Sequence, residues 1–218
     1  MKVKTVLIPV LLFFICLSGL SADDAVSLTI IKKMAESPDP NQKLEAVQSL
    51  ENMFARGLSD KDAAEALNIL SFLSTEGLVN VKYDSLRVDN NHSQVRNEAV
   101  RVLGTTGREE AVEALVTVIL NEPQTHVLST AVISCGQLGM AGKRMNAAFY
   151  MILTGKKEAY RYDSLVYNTL LAVQEIMKKD DSLLISGVLR EGVIYVARPD
   201  AGYLKKTRLL AEEILKKK

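Results

Sequence analysis

Two stretches of this chain repeat one pattern of apolar and polar positions. They are VRNEAVRVLGTTG, which begins at Val95, and VLSTAVISCGQLG, which begins at Val127. The shared positions are Val95/Val127, Ala99/Ala131, Val100/Val132, Gly104/Gly136 and Gly107/Gly139. Because apolar residues four, seven and eight positions apart lie on one face of an α-helix, the pattern predicts an amphipathic helix. We expect Asn91 or Ser93 to cap the first helix, and the glycines to end it.

A second helix is predicted directly after the first copy, in the stretch GREEAVEALVTVIL that begins at Gly107. Glu109 and Glu110 fall in its expected first turn, where the helix dipole favours acids. Pro123 follows its expected end. The apolar face consists of Val112, Leu115, Val116 and Ile119. Two helices joined by a short turn predict a helical hairpin.

Weaker copies of the pattern lie on both sides of this hairpin. The anchor positions are Ala46, Ala99, Ala131, Leu170 and Leu209, and the first interval is the longest. One hairpin every 30–40 positions or so is typical of an α-solenoid, since a single hairpin cannot bury its apolar face. Only LVNVKY, from Leu78 to Tyr83, alternates with a period of two. We therefore predict an all-α, right-handed solenoid of four to five hairpins.

The stretch VRNEAVRVLGTTGREEAVEALVTVIL, from Val95, resembles the HEAT-repeat family, especially the short bacterial HEAT-like repeats. In that family a Val-Arg-x-x-Ala-x-x-x-Leu-Gly helix precedes an Ala-Leu helix. The matching residues are Val95, Arg96, Ala99, Leu103, Gly104, Ala111, Ala114 and Leu115. The resemblance is strongest over residues 95–153, although Leu128 and Cys135 replace the arginine and the leucine in the second copy. It implies a scaffold for binding rather than a reaction.

The N-terminal segment, residues 1–22, has the order of a secretory signal peptide. Lys2 and Lys4 precede an apolar run over residues 6–20, and the small residues Ser21 and Ala22 follow it. As a helix this run would reach roughly 22 Å, less than the ~30 Å hydrocarbon core, which favours cleavage over a membrane anchor. We predict an exported protein, periplasmic or secreted, whose residues 23–218 form a single HEAT-like domain.

The interval from Ala46 to Ala99 is about 14 residues longer than the two later intervals, from Ala131 to Leu170 and from Leu170 to Leu209. We assign the excess to a long irregular loop over residues 77–92. Long loops in compact domains are either functional or disordered, and both alternatives stay open.

The reactive side chains predict no catalytic, metal or cofactor site. After cleavage, Cys135 is the only cysteine, so no internal disulfide is possible, and its register places it in the core. His92 and His126 are the only histidines, and Cys135 lies on the opposite side of a helix from His126. The glycines of GQLGMAGKR, from Gly136, lack the spacing of a phosphate-binding loop.

The formal charge divides the predicted domain into two parts. Residues 23–139 carry 10 Lys and Arg against 17 Asp and Glu, whereas residues 140–218 carry 15 against 9. Six of the seven tyrosines lie in the second, basic part. Tyrosine and arginine are enriched at interfaces, although these tyrosines could instead pack between helices. The predicted partner contacts are Arg144, Tyr150, Arg161, Tyr162 and Arg190.

These observations predict a non-catalytic protein–protein interaction scaffold outside the cytoplasm, whose protein partner is anionic at the contact surface. We expect neither nucleic-acid binding nor stable membrane insertion after cleavage. One alternative is a module that recognises anionic envelope polymers or lipid headgroups. A further alternative is an enzyme, since HEAT-like repeats also occur in chromophore-attaching lyases, but those act on bilins inside cells.

Overall fold

The computed structural model describes residues 21–79, 81–84, 87–179 and 187–216. Over these ranges the chain is all-α apart from one small β-hairpin. The α-helices are α1 (Ser21–Glu36), α2 (Pro40–Arg56), α3 (Asp60–Thr75), α4 (Ser93–Thr105), α5 (Ala111–Asn121), α6 (Thr125–Leu138), α7 (Lys143–Leu153), α8 (Asp163–Met177), α9 (Val188–Ala197) and α10 (Lys205–Lys216). Two strands, β1 (Tyr83–Asp84) and β2 (Arg87–Val88), pair antiparallel between α3 and α4.

Each helix makes its main contacts with helices one or two positions away along the chain. Even-numbered helices pack on even-numbered ones and odd-numbered helices on odd-numbered ones, so the helices form two layers. Among the described helices, the most extensive contacts join α4 to α6 and α6 to α8. The order of the helices in space therefore follows their order in the sequence.

The repeated glycines have two different roles. Gly107 and Gly139 have φ angles of +66° and +64°, and they lie beyond the ends of α4 and α6, as predicted. The prediction that Gly104 ends α4 is wrong, because Gly104 lies within α4 and Gly136 lies within α6, where the next even-numbered helix approaches. A Cβ atom on Gly104 would lie 2.5 Å from Ser134 Cβ, and one on Gly136 would lie 2.9 Å from Ala172 Cα. The repeated phrase thus encodes a close contact between helices as well as a helix end.

The predicted caps of α4 and α5 differ from those in the structure. His92 occupies the N-cap of α4 without a side-chain hydrogen bond. Asn91 does not cap the helix, because its Oδ1 accepts a hydrogen bond from Arg96 Nη1 at 2.9 Å. Helix α5 begins at Ala111, so Glu109 and Glu110 precede it rather than forming its first turn.

Four of the five predicted anchors belong to the core. Ala46, Ala99, Ala131 and Leu170 are completely buried. The fifth prediction is wrong, since Leu209 is 50% exposed and α10 buries Thr207, Ala211 and Ile214 instead. Within the described ranges no helix follows α10, so nothing covers the side of α10 that carries Leu209.

Two buried ion pairs connect α2, α3, α4 and α5. Lys43 Nζ lies 2.8 Å from the Glu76 carboxylate, and it also donates to the carbonyl oxygen of Ala35 at 2.9 Å. Arg96 Nε donates to Glu122 Oε2 at 2.7 Å, and Arg96 Nη1 reaches the carbonyl oxygen of Glu76 at 3.3 Å. Because Glu76 and Glu122 are the C-cap residues of α3 and α5, these pairs also tie helix ends to their neighbours.

The segment 77–92, predicted as an irregular loop, contains the β-hairpin. Lys82 N donates to Asn90 Oδ1 at 2.9 Å, and Asp89 N donates to the Lys82 carbonyl oxygen at the same distance. Gly77 has a φ angle of +75°, and a Cβ atom there would lie 2.6 Å from the Asn90 carbonyl oxygen. A glycine is therefore required where this segment leaves α3.

The predicted signal peptide, residues 1–22, lies outside the described residues except for Ser21 and Ala22, which begin α1. Among the helices that the structure describes, none is long and apolar enough to cross a membrane.

Candidate partner-binding surface

Several tyrosines of the basic part pack between helices. Tyr160 is fully buried, and its hydroxyl donates to the carbonyl oxygen of Ile119 at 2.6 Å. Tyr203 donates to the carbonyl oxygen of Leu153 at 2.9 Å and meets Tyr195 edge to face, with the ring centroids 6.4 Å apart. Burial raises the pKa of both Tyr160 and Tyr203 to about 12. Tyr160 is therefore unavailable to a partner, whereas Tyr195 and Tyr203 pack between helices and are only partly exposed.

Tyr150, a predicted partner contact, is half-buried in the seam between α7 and α9. Its Cδ2 atom lies 3.3 Å from the position that a Cβ atom on Gly192 would take. The missing side chain of Gly192 thus makes room for the Tyr150 ring. Only part of Tyr150 is left for a partner.

Arg144 lies in the first turn of α7 and forms an exposed ion pair with Glu113 of α5. Both residues line a surface groove of about 400 Å³ between α3 and α5, together with Glu110. A partner carboxylate could replace Glu113 as the ligand of the guanidinium. Arg144 therefore lies at the boundary between the acidic and the basic parts.

Arg161 and Tyr162 are both exposed and lie directly before α8. Arg161 also reaches the end of α7, where its Cγ lies 3.6 Å from the position of a Cβ atom on Gly155. Arg144 lies at the start of α7 and Leu153 at its end. At about 1.5 Å per residue, the two are roughly 14 Å apart along the helix axis. The structure therefore brings Arg161 and Tyr162 together and separates them from Arg144.

Arg190, the fifth predicted contact, is exposed in the first turn of α9. The next residue, Glu191, is exposed as well. Arg190 extends the exposed cationic positions from α7 and the start of α8 to α9.

Sequence reasoning missed three exposed residues beside Arg161 and Tyr162, namely Leu204, Lys205 and Lys206. Leu204 N donates to Asp163 Oδ1 at 2.8 Å, which places the start of α10 next to the start of α8. The two segments are far apart in the sequence, so only the packing of α8 on α10 brings them together. The sequence has Leu-Leu-Ala in both helices, from Leu170 and from Leu209, but this likeness does not indicate that the starts of the two helices meet.

A second groove, of about 590 Å³, lies between α1 and α3 in the acidic part. Its rim carries Lys32 and Lys61 as well as Glu36 and Glu65, and Phe72 contributes to the lining. The opposite charges balance, so this groove has no clear preference for a charged partner.

The two histidines and Cys135 do not form a metal site in the described structure. Across the part of the chain that the structure describes, no group of three or more His, Cys, Asp or Glu side chains could hold a metal ion. Cys135 is completely buried, as its register predicts, and burial raises the pKa of its thiol to about 12.

The thiol of Cys135 should be unreactive in the native protein, because it is both inaccessible and protonated at neutral pH. Modification by a thiol reagent, followed by mass analysis of the peptide that contains Cys135, should be far slower than in urea. Cys135→Ala should lower the free energy of unfolding by about 1 kcal/mol or more. Equal modification rates in the native and the unfolded chain would contradict the burial of Cys135.

A scan of the sequence against models of protein families gives no match, and a search of curated proteins gives none either. The resemblance to HEAT repeats therefore rests on the residues of the repeated phrase.

Proposed function

We propose that this protein is an exported, non-catalytic interaction scaffold, built as a right-handed HEAT-like α-solenoid over residues 23–218. Its basic end would bind a protein partner that is anionic at the contact surface. The observation that carries this proposal is the contact pattern, in which each helix packs mainly on helices one or two positions away. Such a stack presents an extended surface, which is how repeat scaffolds bind their partners.

The contact pattern orders the two charged parts along the stack, with the boundary between α6 and α7. The acidic part forms α1 to α6 and the basic part forms α7 to α10. Five stacked helices per layer, at about 8–10 Å each, extend over roughly 40 Å. Since the Debye length is about 8 Å at physiological salt, the fields of the two ends do not cancel. A partner would therefore meet an acidic surface and a basic surface separately.

The predicted contacts fit this proposal to different degrees. Arg161, Tyr162 and Arg190 are exposed. Arg144 would exchange Glu113 for a carboxylate of the partner. Tyr150 is half-buried and would contribute less. The strongest contributions should therefore come from the arginines.

Reversal of the charges at Arg144, Arg161 and Arg190 to Glu tests the proposal. The triple variant should capture the anionic partner at least about tenfold more weakly than the wild type, and its capture should depend less on salt. The measurement is affinity capture from the envelope fraction at several salt concentrations, with far-UV circular dichroism as a check of folding.

The matched control reverses three exposed cations of the acidic part, Lys33, Arg56 and Lys82, to Glu. It changes the net charge by the same amount and should leave capture unchanged. A folded Arg144/Arg161/Arg190 variant that binds like the wild type would exclude the basic surface as the site. The segment 77–92, which exposes Val79 and Tyr83, would then be the next candidate.

A further inference from the structure

Three chain segments meet at one edge of the basic part. They are the end of α7, the residues before α8 and the residues before α10. Asp163 joins two of them, because its Oδ1 accepts from Leu204 N and its Oδ2 accepts from Thr207 Oγ1, both at 2.8 Å. Tyr203 joins the third through its hydrogen bond to the Leu153 carbonyl oxygen. The edge is therefore held in place by contacts between the segments.

Two large apolar side chains point into solvent at this edge. Tyr162 is 55% exposed and Leu204 is 59% exposed, although their backbones are close to each other through Asp163. Four exposed cations lie on the same segments or at the start of α10. We call these six residues the basic loop edge: Lys156, Arg161, Tyr162, Leu204, Lys205 and Lys206.

The charge of the basic loop edge is positive, because its four cations outnumber the acids of the adjoining segments, which are Glu158, Asp163 and Asp200. Asp163 still contributes one of these negative charges, since its hydrogen-bond donors, Leu204 N and Thr207 Oγ1, are neutral. Glu158 is the exposed acid of the segment before α8, and Lys157 stands next to it in the sequence. Lys206 Nζ lies 4.6 Å from the ring centroid of Tyr167, which is one turn into α8.

The combination of protruding apolar groups with surrounding cations matches a lipid surface better than a folded protein. An anionic bilayer offers negative headgroups above an apolar layer, so it satisfies the cations and buries the apolar side chains together. An acidic protein would pair with the cations, but it would need a separate pocket for Tyr162 and another for Leu204. We propose that the basic loop edge docks onto a bilayer that contains anionic lipids.

This inference goes beyond the proposed scaffold function and does not depend on it. Docking through the basic loop edge would use Arg161 and Tyr162 for the lipid surface. Arg144, Tyr150 and Arg190, which lie on α7 and α9, would stay available to a protein partner. The protein could then hold its partner next to a membrane.

Cosedimentation with vesicles tests the inference. The protein is recovered from exporting cells, so that every variant carries the N-terminus that the cell leaves on it. Vesicles of phosphatidylcholine alone are compared with vesicles that also contain phosphatidylglycerol. The wild type should prefer the anionic vesicles, and replacing Tyr162 and Leu204 by Ser should weaken that binding about tenfold, since two half-exposed apolar groups lose their burial.

Two further variants separate the contributions. Lys156→Glu, Arg161→Glu and Lys205→Glu together should abolish the preference for anionic vesicles. The matched control replaces Ile30 and Ile133, which are 55% and 43% exposed on other surfaces, by Ser, and it should bind like the wild type. Thermal unfolding checks that each variant is folded.

Three outcomes would overturn the inference. The first is equal binding of the wild type to neutral and anionic vesicles. The second is unchanged vesicle binding after the substitutions of Tyr162 and Leu204. The third is binding to soluble polyglutamate that is as strong as the vesicle binding, depends on the cations and is unchanged by the substitutions of Tyr162 and Leu204. That result would indicate an acidic protein as the partner instead. Capture with a variant in which only Arg144 and Arg190, which lie outside the basic loop edge, are reversed to Glu reports on the scaffold function separately.

Discussion

Gly104→Ala should destabilise the protein by about 3 kcal/mol, although it adds a single methyl group. The new Cβ atom would lie 2.5 Å from Ser134 Cβ and 2.7 Å from Ser134 Cα. A flexible side chain could turn away from such an overlap, but a backbone Cα atom cannot. Helices α4 and α6 would have to separate, and an extensive contact between them would be weakened. Urea unfolding followed by circular dichroism measures the change.

Substitutions of two other glycines serve as comparisons for Gly104→Ala. Gly136→Ala should cost less than Gly104→Ala, because its nearest neighbour is Ala172 Cα at 2.9 Å. Gly142→Ala meets no atom within 4 Å and should change the free energy of unfolding by less than about 1 kcal/mol. A Gly104→Ala variant as stable as Gly142→Ala would show that α4 and α6 are not in close contact.

The helices were predictable because the apolar period of the repeated phrase directly reports a buried helix face. Ala99, Ala131 and Leu170 lie in the core for this reason. Leu209 follows the same pattern and is exposed, because the pattern cannot reveal that α10 has no later neighbour among the described helices. Sequence periodicity therefore predicts which face can be buried, and the neighbouring helices decide whether it is.

The candidate surface was harder to predict. Composition indicated a basic part rich in tyrosine, but it could not separate Tyr162, which is exposed, from Tyr160, which is buried and lies just before it in the sequence. Leu204 lies beside Tyr162 because its backbone N–H donates to Asp163, and this contact joins two different hairpins. Such contacts depend on how helices stack, and no local pattern of residues encodes them.

Glu122→Ala should also have a large effect, because it removes one partner of a buried ion pair. Glu122 accepts from Arg96 Nε at 2.7 Å and from Arg96 Nη2 at 3.2 Å, and both side chains are at most 1% exposed. Without the carboxylate, the guanidinium stays buried without a counter-charge. Breaking such a pair typically costs about 3–5 kcal/mol, so we expect a loss of about 4 kcal/mol in the free energy of unfolding, measured by urea unfolding.

The pair of Glu51 with Arg101 is a matched control, since it has similar geometry near the surface. Arg101 Nη1 and Nη2 donate to Glu51 Oε1 and Oε2 at 2.8 and 2.7 Å, and these hydrogen bonds lower the pKa of Glu51. The side chains of Glu51 and Arg101 are 28% and 40% exposed, so water can solvate either charge when the other is removed. Glu51→Ala should therefore cost less than about 1 kcal/mol.

The second copy of the repeat suggests how the loss at Glu122 can be offset. In the register that aligns Val127 with Val95, Leu128 takes the place of Arg96, and Thr154, the C-cap of α7, takes the place of Glu122. Arg96→Leu combined with Glu122→Thr copies that uncharged arrangement and removes both buried charges. It should recover at least about half of the stability that Glu122→Ala loses, whereas Arg96→Leu alone should not. A double variant as unstable as Glu122→Ala would mean that the Arg96 hydrogen bonds to Asn91 and to the Glu76 carbonyl oxygen, rather than charge burial, dominate this site.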